Sequence, residues 1–183
     1  MITSEVRFSY LNAFEPKLNP SDKLMYSASI LIPKDDEQGV KDIQAAINKA
    51  VQAGIDNNKF TKALVDAKKI RIPLRDGDEE FEAGTRGVEY KGHWFINASS
   101  KNKPGVVDSA AKPLFNAESF FSGCYGRADV GFFPYNQAGN RGVGVGLNNL
   151  MFTREGERLD GRQKAEDAFA TYADKAESSG DLE

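Results

Sequence analysis

Tyr125, Arg127, Phe133 and Tyr135 occupy odd positions of one segment, FFSGCYGRADVGFFPYN at 120–136, with Gly123 and Gly131 among them. Successive side chains of a β-strand point to opposite faces. This spacing therefore gathers flat rings, a guanidinium group and bare backbone on one side. The chemistry open to such a face is non-covalent. Rings stack on unpaired nucleobases at about 1–3 kcal/mol each, whatever the base, while cations meet phosphates. The even positions, Phe120, Ser122, Cys124, Gly126, Ala128, Val130 and Phe132, are mostly small or apolar and suit a core. The competing reading of the odd face is a second packing layer, covered by the protein's own helix.

Other chemistries have less to stand on. The acids Asp76, Asp78, Glu79, Glu80 and Glu82 offer carboxylate oxygens to a hard cation. They lack the spacing of a calcium loop, and a solvated loop is the preferred reading; a metal-dependent nuclease using residues 76–82 is the alternative. His93 and Cys124 are the only residues of their types, so no zinc cluster and no internal disulfide can form. No phosphate-cradling GxxxxGK[ST] or GxGxxG motif is present. The expectation is a protein without cofactor or metal, and not an enzyme. A protein–protein adaptor with exposed rings at its interface is the third reading.

The elements that must hold the rings follow from periodicity. Ile2–Tyr10 alternates as a first strand, with Tyr10 on the side of Val6 and Phe8. Phe14-Glu-Pro and Asn19-Pro-Ser-Asp read as loop. Leu24–Ile32 is a second strand that ends at Pro33. Residues 36–53 shift to helical spacing after an acidic start, with Gly54 as the stop, and a short second helix spans about 58–69. The polar stretch 71–92 reads as a long, partly mobile loop with a short strand at Ile70–Leu74. His93–Lys101 is a strand with Trp94, Ile96 and Ala98 inward. Phe95, Asn97, Ser99 and Lys101 face the other way, which makes Phe95 a candidate surface ring. The 120–135 strand turns through glycines at 136–142 and returns as Val143–Thr153. Five strands and a helical insertion suggest a closed OB-fold barrel spanning 1–160.

At 183 residues, 40% hydrophobic and 28% charged, the chain suits one folded domain. It has no apolar run of about 18 residues and no secretory leader, so the expectation is a reducing, cytoplasmic setting without membrane contact. Its net charge of −3 conceals a split. Residues 165–183 hold six acids and one base, whereas the other 164 residues hold 23 bases and 21 acids. A mildly basic body carries an acidic tail at 161–183, partly helical over Ala165–Ala176 and disordered beyond.

The stretches SYLNAFEP (9–16), PLRDGDEE (73–80), FINASSKNKPGVVD (95–108), FSGCYGRADVGFFPYN (121–136) and GNRGVGVGLNNL (139–150) span most of the chain. Read together, they resemble a family of small single-stranded-DNA-binding proteins encoded by tailed bacteriophages and prophages. The design is also similar to the single-strand-binding protein of T7-like phages. The resemblance implies an OB-fold, sequence-tolerant binding of single-stranded DNA, and a role in phage replication, recombination or repair in the host cytoplasm. It further implies a tail that competes with DNA and recruits phage or host replication and recombination proteins, although here the tail lacks a terminal aromatic. Self-association is compatible with such a role. Within this reading Tyr125, Phe133, Tyr135 and Phe95 stack bases, Arg127, Arg141, Lys101 and Lys103 meet phosphates, and Arg7, Lys17, Arg71 and Arg75 are outer contacts.

Overall fold

The computed structural model describes residues 1–161 and 168–170; the expected tail helix and acidic tail lie, apart from 161 and 168–170, outside them. Strands β1 (Val6–Leu18) and β2 (Leu24–Pro33) form an antiparallel hairpin, followed by helix α1 (Glu37–Asp56) and the short α2 (Lys62–Asp66). A two-residue strand β3 (Arg75–Asp76), helix α3 (Gly77–Glu82) and a 3-10 turn at Val88–Tyr90 lead into β4 (His93–Ser100). Strands β5 (Gly105–Val107), β6 (Tyr125–Gln137) and β7 (Asn140–Arg154) complete a mainly β architecture with few helices.

The hydrogen-bonded order is β3-β4-β2-β1-β6-β7-β5. A further parallel pairing, Ser99 with Gly146, joins β4 to β7 and so links the two ends of the run β4-β2-β1-β6-β7. Alternation explains the core. Val6 and Phe8 from β1, Ala28, Ile30 and Ile32 from β2, Ile96 and Ala98 from β4, Ala128 and Val130 from β6, and Val145 and Leu147 from β7 are all buried in one cluster. Fully burying a side chain of this size contributes about 1.5–3 kcal/mol. Helix α1 adds Ile43 and Ile47, one turn apart on one face, and packs against β6. Its N-cap, Asp36, accepts from the Gly39 amide at 3.0 Å.

Several boundaries differ from the sequence expectation. Strand β1 starts at Val6 and runs through Phe14-Glu-Pro to Leu18. It pairs with β6 only at Val6 and Arg7, so Pro16 sits on a strand with one open edge, where the missing N–H is tolerated. Helix α1 passes Gly54, which is buried because the Phe60 ring lies where a side chain would stand. Residues 120–124 are not strand: Gly123 adopts φ +114° and packs on the Glu157 carbonyl, and Phe121 is buried beneath Arg158.

The largest difference is the 71–92 stretch, which is folded and packed. Strand β3 is at Arg75–Asp76, beyond the expected Ile70–Leu74. Tyr90 is fully buried and its hydroxyl donates to Ser29 Oγ at 2.9 Å. Lys34 Nζ donates to Asp76 Oδ1 and to Asp78 Oδ2, both at 2.7 Å, and stands 5.0 Å from the half-buried Trp94 ring. Asp76 also caps α3, accepting from the Asp78 amide at 2.8 Å. The acids read as a solvated loop therefore hold the segment to the sheet.

Burial raises the Asp76 carboxyl, but the Lys34 ammonium and the Asp78 amide outweigh it and hold the group below its ordinary value. A carboxylate whose pKa is lower folded than unfolded stabilises above its unfolded value of about 3.9 and loses that contribution as pH falls through the folded value. Melting of the wild type is expected to drop as pH is lowered from about 5 to about 3, with Asp76→Asn, which keeps the cap, dropping less. Parallel melting curves for the two proteins would contradict this role.

Candidate nucleic-acid interface

The side chains of β2, β4, β6 and β7 that point away from the core form one continuous outer face. Register brings Ser27 beside Ser99 and Ser29 beside Asn97, then Ser99 beside Gly146 and Gly146 beside Gly131. The next rung pairs Phe133 with Gly144. The floor of this face is hydroxyl, carboxamide and bare backbone, with no large side chain to obstruct an approaching ring.

Aromatic walls stand on both sides. On β6, Phe133 is 49% exposed, and its ring leans across the ladder onto Gly144, where a β-carbon would sit 2.6 Å from Cζ. Any side chain at 144 would displace it. On β1, a register shift between Ser9 and Asn12 turns Tyr10 outward at φ +46°, leaving it 57% exposed. The Arg86 guanidinium lies 5.4 Å from the Tyr10 ring, 5.3 Å from Tyr90 and 5.5 Å from Phe95. Positive charge is thus tied to the aromatic edge of the floor.

At one end the 71–92 segment closes the floor. Phe95 is 0% exposed, packed edge-to-face on Tyr90 at 4.9 Å and grouped with Leu31. The expected surface ring is therefore a buried one, because the segment read as a mobile loop lies over it. Arg75 is exposed, paired with Glu80 and 5.2 Å from the Phe95 ring. Glu80 is held below its usual range first by the Thr85 hydroxyl and then, against some desolvation, by Arg75. At the other end Lys101 and Lys103, just after β4, are exposed and make no ion pair among the described residues.

The remaining residues fall into two groups. Tyr135 is half-buried one rung past Phe133, opposite Gly142, and Arg141 is half-buried on the same hairpin. Arg71 is clamped beside them: its amide donates to the Arg141 carbonyl and its carbonyl accepts from Val143, each at 2.9 Å, with the side chain exposed. Lys17 is exposed and lines, with Tyr10 and Phe14, an open groove of about 640 Å³.

Tyr125, Arg7 and Arg127 belong elsewhere. Eight residues separate Tyr125 from Phe133, on the order of 25 Å along a strand. Its ring lies under the Arg154 guanidinium at 3.6 Å, with Arg7 at 5.6 Å. Arg7 donates to the Gly123 and Glu157 carbonyls at 3.2 and 3.1 Å, and the exposed Arg127 donates to the Thr3 carbonyl at 3.1 Å. These three groups fasten the chain ends to the sheet. The reading that placed Tyr125 and Arg127 in one site with Tyr135 is corrected accordingly.

Tyr10 and Arg86 were missed from the sequence. Strict alternation put Tyr10 inside, since a bulge leaves no mark in hydrophobic periodicity, and Arg86 sat in a stretch without pattern. Among the described residues, no group of three His, Cys, Asp or Glu side chains is placed to hold a metal ion, and no helix is long and apolar enough to cross a membrane.

Truncating a buried ring costs about 3–5 kcal/mol, and an exposed one far less. Phe95→Ala is expected to lose most of that range in denaturant unfolding, while Phe133→Ala shifts the midpoint little. Equal shifts would put Phe95 back on the surface.

Comparison with known proteins follows the same lines. A family model described as Enterobacter phage Enc34 ssDNA-binding protein matches residues 1–180, and the chain belongs to that family. A putative protein p50 of Acyrthosiphon pisum secondary endosymbiont phage 1 is 30% identical over 162 residues, covering 86% of this chain and 85% of that protein. The solved single-stranded DNA-binding protein from bacteriophage Enc34 in complex with ssDNA is 21% identical with a TM-score of 0.68, covering 86% of this chain and 88% of the other. The single-stranded DNA-binding protein gp2.5 of bacteriophage T7 is 14% identical with a TM-score of 0.58, covering 90% and 97%. Both likenesses establish a common, OB-like fold.

Proposed function

We propose that this member of the phage family is a non-catalytic, sequence-tolerant binder of single-stranded DNA, and that unpaired bases lie across the Ser27–Ser99–Gly146–Gly131 floor. Tyr10 and Phe133 stack bases, with Tyr135 one rung further. Arg86, Arg75, Lys101 and Lys103 meet phosphates, and Arg71, Arg141 and Lys17 are outer contacts. The observation that carries this reading is the pair of exposed rings flanking a floor of small polar and glycine residues. A matched family and a neighbour solved with ssDNA support the same ligand.

The architecture fits. The closed circuit β1-β2-β4-β7-β6, with β4 and β7 parallel, is read as a five-stranded OB barrel, which presents single strands across its second and third strands and the adjoining hairpins. Residues 1–160 form this binding domain and 161–183 the acidic tail. The role is to coat and protect DNA in phage replication, recombination or repair in the host cytoplasm, with replication proteins as partners of the tail.

Phe133→Ala and Tyr10→Ala are each expected to weaken oligo-dT binding by about 1–3 kcal/mol in a fluorescence titration, without lowering the melting temperature. The DNA should stay intact with Mg²⁺ present. Unchanged affinity in both variants, or cleavage of the DNA, would refute the reading. Removal of residues 165–183, which carry six acids and one base beside a mildly basic body, is expected to tighten binding at low salt and to matter less as salt rises. Equal or weaker affinity of the shortened chain would exclude the tail as a competitor.

A further inference from the structure

Positive charge is concentrated away from the aromatic floor. Residues 59–71, KFTKALVDAKKIR, carry Lys59, Lys62, Lys68, Lys69 and Arg71 against the single acid Asp66. Their surplus of four charges exceeds the surplus of two carried by residues 1–164 as a whole. Everything else in the body is thus net acidic. All five basic side chains are exposed. Among the described residues only Lys62 of these has an ion pair, to Asp66 at 2.9 Å.

The segment is not a loose loop. It is fixed to the β6–β7 hairpin at both ends. Asn136 Nδ2 donates to the Lys59 carbonyl at 2.8 Å, and Arg71 exchanges backbone hydrogen bonds with Arg141 and Val143 at 2.9 Å. Between these anchors an open cleft of about 520 Å³ is lined by Lys59, Lys62, Asn136 and Arg141 over the apolar base of Phe60 and Leu64. Arg71 lies against Gly142, the rung of Tyr135 and next to that of Phe133. The cationic shoulder therefore begins where the stacking wall ends.

We infer that the 59–71 shoulder and Arg141 form a second stretch of the DNA path, which takes phosphates of nucleotides that have passed Phe133 and Tyr135 and stacks no bases. This inference rests on the binding function proposed above and extends it. It divides the site into a stacking part, which fixes the first few nucleotides, and an electrostatic part, which only a longer strand can reach.

Oligo length separates the two parts. OB folds cover roughly 4–16 nucleotides, so oligo-dT of about 5 and about 15 residues brackets the range. In the full chain, Lys59→Glu with Lys68→Glu and Lys69→Glu is expected to weaken the longer oligo roughly tenfold at low salt. It should also flatten its salt dependence by about 2 in slope, near 0.7 per lost phosphate contact on a single strand. The short oligo should change less than about twofold, and the corresponding glutamine variants should give the same pattern in smaller measure. Equal losses at both lengths, or none at either, would overturn the inference while leaving the stacking face intact. Failure of the wild type to bind either oligo would overturn the function on which it rests.

Discussion

The pairing of Ser99 with Gly146 is the contact on which the rest of the molecule turns. Without it, β4 and β7 would lie towards opposite edges of the sheet, with β2, β1 and β6 between them. With it, the strand circuit closes, the inward residues of five strands share one core, and the outward residues of β2, β4, β7 and β6 become neighbours. Parallel pairing demands a long connection between its partners, and here that connection contains the whole β5–β6 region. The residues at the join are small. A bulky side chain at 99 or 146 would rise in the middle of the floor, between the two aromatic walls.

A bare floor has to be defended at its ends, and here that task falls to the 71–92 segment. Tyr90 fills the outer side of β2 and β4 where Leu31 and Phe95 would otherwise meet water, and its hydroxyl satisfies Ser29. Lys34, shared between Asp76 and Asp78, pins the segment from the core side. The consequence is that Arg86 is carried to the aromatic edge on a packed element. A cation on such an element loses less side-chain freedom when it meets a ligand than one on a flexible loop. The acids expected to lie in a solvated loop thus hold the segment against the end of the sheet.

The core was legible in the sequence wherever period alone decides the outcome. Alternation in Leu24–Ile32, His93–Lys101 and Val143–Thr153 and the 3.6 repeat of Ile43 and Ile47 mark the elements within a few residues of where they lie. The outward placement of Phe133 follows from the same logic. What escaped it was tertiary. Phe95 alternates outward as expected, yet a second layer covers it, and nothing in its own strand announces a cover. Tyr10 alternates inward until a bulge reverses it. Tyr125 does not join Phe133: it lies about eight residues along the strand from it, with its ring under the Arg154 guanidinium.

In the proposed binding mode, a preference for unpaired nucleic acid follows from the division between rings and cations. Phosphates are common to single and double strands, and a duplex presents them at higher density, so a surface that relied on lysines alone would favour duplex. Rings reverse that preference, because a base already stacked and paired in a duplex has no free face to offer. Tyr10 and Phe133 are exposed beside a floor of small side chains, and the cations of 59–71 lie beside the β6–β7 hairpin. In the proposed path a strand gives its bases to the rings and its further phosphates to the shoulder.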